Sequence, residues 1–137
     1  MSYKNAEHWA KAAQNNFNIG DYQTCVYLCC LAAEIYFKSI TSIIDPTFDT
    51  SKSHDINYVY QIASHKYKPS QNLSPIVRKF RKYFNESRYP ADSNLDVYNK
   101  QFAQEFLNGL DTIVDYIENE CHISLEDLQK KFRGSLQ

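Results

Sequence analysis

The chain has 137 residues, of which 43% are hydrophobic and 23% charged, with a formal net charge of −1. That length and balance fit one globular domain able to bury a core without a metal or a disulfide, and they exclude a disordered chain or a uniformly basic nucleic-acid coat. Only 3 glycines and 4 prolines are available to punctuate turns, which excludes a sandwich or barrel of many hairpins and favours a few long helices.

In chain order, Ser2 is placed to cap a first helix. Ala6, Trp9, Ala10, Ala13 and Phe17 form its apolar stripe, and it ends near Ile19-Gly20. Asp21 is the N-cap of a second helix. From Cys25 to Phe37, 12 of 13 residues are apolar, the exception being Glu34. A helix apolar around most of its girth must be surrounded by protein, so this is the central helix; it stops before Asp45-Pro46. The loop Thr47 to Ser53 follows. His54 or Asp55 opens a third helix with Ile56, Val59, Tyr60, Ile62 and Ala63, broken at Lys68-Pro69-Ser70. Ser74-Pro75 starts a fourth, with Ile76, Val77, Phe80, Tyr83 and Phe84 on its buried side. Asn85 to Asn94 reads as a polar loop, and Leu95 to Glu120 as the last long helix, through Tyr98, Phe102, Phe106, Leu110, Ile113 and Ile117. Ser124 to Asp127 resembles a capping box for a short helix over 124–132. The expected fold is all-α, an antiparallel bundle of four or five helices. It forms a single domain over 1–137 with its core at about 3–120.

Four cysteines, Cys25, Cys29, Cys30 and Cys121, follow a polar N-terminus with no secretory signal. They read as buried free thiols in a cytoplasmic protein, because no His or carboxylate pattern completes a metal set. No cofactor motif is present. The longest apolar run falls short of the ~20 residues of a membrane span.

Three polar features stand out. Glu34 lies in the least polar segment, one turn before Lys38, in the favourable order for an i, i+4 pair. The pair is either a local ion pair at the edge of the core or a support for an arginine from the 85–94 loop. Next, Arg88 precedes Tyr89-Pro90, where proline stiffens the chain and an arginine suits bidentate binding of phosphate. Finally, seven of the 15 basic residues fall between Lys66 and Arg88, including Arg78-Lys79-Phe80-Arg81-Lys82. This run is either a solvated helix face or a phosphate-tracking patch leading to Arg88, with Tyr83 and Tyr89 for base stacking. His54 either satisfies backbone at a helix start or approaches the polar site. His8, His65 and His122 have no supporting context.

Over about residues 5–120 the chain resembles the HEPN domain family. The resemblance is carried by Trp9, Ala13, Tyr22, Ala32-Ala33-Glu34, Lys38, His54 with Ile56, Tyr83, and Ser87-Arg88-Tyr89-Pro90. It implies two functional branches. In the ribonuclease branch, an arginine is followed after four to six residues by a histidine, and two such motifs meet across a homodimer and cut RNA without metal. Arg88 matches the arginine, but Ser93, Asn94 and Leu95 stand where the histidine falls, and none of them titrates near neutrality. The other branch is similar to domains paired with a minimal nucleotidyltransferase and to the nucleotide-binding domain at the end of sacsin. The Arg-Tyr-Pro form looks more like this branch. The expected function is therefore binding of a nucleotide or RNA, with no catalytic residue assigned. The expected site is Arg88, Lys38, Glu34, Tyr89, Asn94 and His54. The expected partners are a second copy and a minimal nucleotidyltransferase, in a toxin–antitoxin-like pair. The rival expectations are a metal-independent ribonuclease using Arg88 with His54, and a module that binds only protein.

Overall fold

The computed structural model describes residues 3–49 and 55–121. Five α-helices follow one another: α1 (Tyr3–Asn18), α2 (Tyr22–Ile44), α3 (Ile56–Lys66), α4 (Ser74–Arg88) and α5 (Lys100–Asn119). A 3-10 segment, Asp92–Val97, joins the last two. Among the described residues there is no strand, so the fold is the expected all-α bundle. Ser2, His54, His122 and the expected helix over 124–132 lie outside the described residues.

Side chains at the helix ends set the boundaries. Gly20 turns the chain after α1 with φ +83, a left-handed conformation that suits a residue without Cβ. Asp21 then caps α2 by accepting from the Thr24 N–H at 3.2 Å. Asp55 caps α3, accepting from the Asn57 N–H at 3.0 Å, which settles the choice between His54 and Asp55. The structure corrects the sequence reading between α4 and α5. Residues 85–88 are not loop but the last turn of α4, because nothing breaks the helix before Tyr89, which Pro90 turns away from helical geometry. Residues 95–99 are not α5, because Asn99 caps that helix by accepting from the Phe102 N–H at 2.9 Å.

α2 lies at the centre and packs against α1, α3, α4 and α5. It is 23 residues long, and an 18-residue window of it has mean hydropathy 1.4, long and apolar enough to cross a membrane. Every such window includes Glu34 and Lys38, so it is not an uninterrupted apolar run. The window is mostly buried inside the bundle, so protein already surrounds the apolar girth. On the α4–α5 side, Phe80 stacks on Phe106 with ring centroids 4.9 Å apart. Gly109 allows this approach, since a Cβ there would stand 2.9 Å from the Phe80 ring. Phe80→Ala should lower the unfolding free energy by about 3 to 5 kcal/mol, the usual loss for emptying a buried Phe site, read as a lower urea midpoint.

All four cysteines are free and buried. Cys25 is the exception in its acidity, lowered chiefly by the Cys29 thiol that donates to it. Burial raises Cys30 well above its usual range and pushes Cys121 up to about 11. Burial also raises Tyr36 and Tyr116, and the Tyr116 hydroxyl donates to the Tyr67 carbonyl. An acid whose pKa is raised by folding binds its proton more tightly when folded. Its contribution is full below the unfolded pKa and is lost as pH rises through the folded one. Stability should therefore hold to about pH 8.5 and fall toward pH 11, with a shallower fall in Cys121→Ser. Urea midpoints measured from pH 7 to 11 check this.

Candidate functional site

The second half of α2 carries the polar groups of the core. Glu34 Oε1 and Lys38 Nζ are 3.4 Å apart, one helical turn from each other, with side chains 4% and 0% exposed. Both side chains are buried, Lys38 fully and Glu34 where the core meets a cleft. Two charges taken out of water hold only if each stays compensated, so the pair fixes both side chains. On its open side, Glu34 forms part of a cleft of about 340 Å³ between α2 and α4. Cys30 and Glu34 line it from α2, Asp55 from the start of α3, and Arg81, Phe84 and Asn85 from α4.

Arg81 is the arginine of this cleft. Its Nε stands 3.2 Å from Asp55 Oδ1, with side chains 59% and 39% exposed. The same Asp55 oxygen also accepts from the Asn57 N–H. One carboxylate thus starts α3 and ties α4 to it.

Arg88 lies on the same stripe of α4, two turns beyond Arg81, because residues seven apart nearly eclipse on a helix. It ends α4 and is exposed. Its guanidinium carbon is 5.9 Å from the Tyr27 ring centroid and 5.2 Å from that of Tyr89. Tyr27 in turn stacks on Phe84 of the cleft wall, at 5.7 Å. The Gln23 amide donates to the Ser87 carbonyl at 3.0 Å and tethers this end of α4 to α2. The structure thus gives the Glu34 cleft and Arg88 adjoining places on one α2–α4 face, joined through Phe84 and Tyr27. Direct support of Arg88 by Glu34 is absent. Tyr27 precedes Glu34 by seven residues, about 10 Å along α2, and Arg88 stands at the Tyr27 level.

Tyr89 is 74% exposed and sits beside Arg88. Asn94 is elsewhere: it lines a small hollow of about 190 Å³ with Lys82, Tyr83, Glu86 and Val97, on another side of α4. His54 lies outside the described residues, next to Asp55. In the basic run, Lys79 is 2.6 Å from Glu105 and Arg81 is paired with Asp55, so carboxylates offset two of its four cations. Sequence reading held Arg81 only as part of the basic run, without Glu34 or Asp55 beside it, and missed Asn85, Tyr27 and Asp55 as site neighbours. The signal was present for Arg81 and Asn85, since positions 81, 85 and 88 share one helix stripe. Nothing in the sequence told which stripe would face α2. Among the described residues, no group of three or more His, Cys, Asp or Glu could hold a metal ion.

The HEPN domain family model matches residues 1–120. The chain belongs to the HEPN domain family. Among curated proteins and among solved structures, none matches it. In this HEPN domain, the Glu34 and Lys38 of the resemblance meet in the core, and its Arg88 closes α4. Lys38→Ala should cost about 3 kcal/mol or more of stability by stripping Glu34 of a buried counter-charge. The loss should be smaller in a Glu34→Gln background, as a double-mutant cycle of urea unfolding would measure.

Proposed function

We propose that this HEPN domain binds a nucleotide or a segment of RNA on the α2–α4 face and does not cleave it. One observation supports this most: the Arg88 guanidinium is exposed, leans on two tyrosine rings, and pairs with no carboxylate among the described residues. An arginine held by ring faces keeps its planar fork of donors for a phosphate. Tyr89, exposed beside it, offers a ring on which a base can stack. Glu34 and Lys38 act at a distance, by fixing the α2 wall of the cleft.

Positions 93–95 hold no histidine, so the chain has no group there to move protons near neutral pH. That favours binding over hydrolysis. By family analogy, the reading includes a cytoplasmic homodimer that pairs with a minimal nucleotidyltransferase. Leu95 and Val97, exposed close after Tyr89 in sequence, offer apolar surface for such a contact.

Arg88→Ala should weaken binding of labelled single-stranded RNA or of a nucleoside triphosphate by about tenfold or more, the worth of one charge-assisted hydrogen bond, with the thermal midpoint nearly unchanged. Fluorescence anisotropy and a circular-dichroism melt check both. Wild-type affinity in that variant would remove the site. RNA cleavage in EDTA that vanishes in Arg88→Ala would replace this reading with the ribonuclease, and His54→Ala would then test the second group.

A further inference from the structure

We propose that Arg81, Asn85 and Arg88 form one phosphate-reading stripe on α4 for a single strand of RNA, and that Asp55 is the competing anion that sets its strength. This rests on the reading above and names its ligand.

The stripe follows from register. Positions 81, 85 and 88 fall at i, i+4 and i+7 on one side of the helix. Arg81 and Asn85 line the cleft, and Arg88 stands beyond the stacked Tyr27 and Phe84. The two arginines are separated by about 10 Å along the helix axis. Arg81 is held at Asp55 and Arg88 at the tyrosine rings, so the two guanidinium groups occupy different places that two phosphates of one chain can engage together. The Asn85 amide lies between them as a neutral donor.

The opposite wall selects among phosphate ligands. Glu34 and Asp55 face the same cleft from α2 and α3. A triphosphate laid along the cleft would set unbroken negative charge against these carboxylates. A diester strand alternates charged phosphates with neutral sugars, so its phosphates can meet arginines while its sugars meet carboxylates. A ribose 2′-hydroxyl donates a hydrogen bond to a carboxylate, and a deoxyribose has none to donate. Tyr89, exposed beside Arg88, offers a ring face that only an unpaired base can cover. The cleft of about 340 Å³ is also too small for a duplex. These features together favour single-stranded RNA over a mononucleotide or DNA.

Asp55 has two roles on one oxygen. Oδ1 accepts from the Asn57 N–H at 3.0 Å, which starts α3, and holds Arg81 at 3.2 Å. A phosphate arriving at Arg81 must compete with it. Asparagine caps a helix as well as aspartate does, so Asp55→Asn keeps the first role and removes the second.

Full-length protein is titrated by anisotropy with a short labelled oligouridylate, its DNA counterpart, and unlabelled ATP as competitor, over a range of salt. RNA should bind more tightly than DNA. Asp55→Asn should tighten RNA binding about two- to fivefold, the worth of one exposed ion pair. Arg81→Gln and Arg88→Gln should each weaken it and each lower the salt slope by about one phosphate, while Arg81→Lys retains the slope. Thermal melts verify that each variant is folded. Wild-type affinity and slope in Arg81→Gln, or no gain in Asp55→Asn, would overturn the stripe, yet loss in Arg88→Gln would keep the broader reading intact. Binding of ATP without binding of RNA would also overturn the stripe alone. Failure of RNA, DNA and ATP to bind the wild-type protein would end both.

Discussion

The structure depends on enclosing one helix. α2 is apolar on nearly every side, and water is excluded only if other helices cover it all round. The other four do so. Their order around α2 is the fold, and the one polar pair that α2 carries inside the core is compensated within its own helix. Glu34 and Lys38, one turn apart, meet within the helix itself. That local solution lets an otherwise apolar helix bring a carboxylate to a cleft wall without leaving its charge uncompensated.

Enclosure also creates the site. α4 lies against α2, so the stripe of α4 turned toward α2 decides which polar groups gather there. Arg81 and Asn85 reach the cleft because they lie on that stripe, and Arg88 joins them because α4 keeps helical geometry to its end. The arginine of the recognisable Arg-Tyr-Pro segment therefore lies at one end of a longer surface. Its neighbours are rings, not carboxylates, whereas Arg81 has a carboxylate partner. Of two arginines of one helix, one is thereby tied to a carboxylate and the other rests on rings.

The connection after α4 shows how a small feature redirects a surface. Pro90 ends the helix, and the 3-10 segment then carries Asn94 to another side of α4, away from the Glu34 cleft. Spacing along the chain had placed Arg88 and Asn94 close enough to share a motif. The turn at Tyr89-Pro90 separates their directions. Tyr89 stays with Arg88, exposed at the bend.

The sequence by itself determined the helices, because helix formation and capping are local. The 3.6-residue stripes, the Asp21 cap, and the stops at Gly20 and Asp45-Pro46 all act within a turn or two. It also determined which helix must be central, since twelve apolar residues in thirteen leave no wettable face. The Glu34–Lys38 contact was legible for the same reason, being one turn long. The start of α5 was not: Tyr98 continues the apolar spacing, and only the Asn99 side chain turning onto the Phe102 N–H shows where the helix begins. Tertiary structure alone decided which arginine faces Glu34, that Asp55 holds it, and that Tyr27 lies under Arg88. Those outcomes depend on how far α4 is rotated and shifted against α2. That rotation is fixed by the sum of packing at Phe80, Phe84, Phe106 and Gly109, not by any short run of residues.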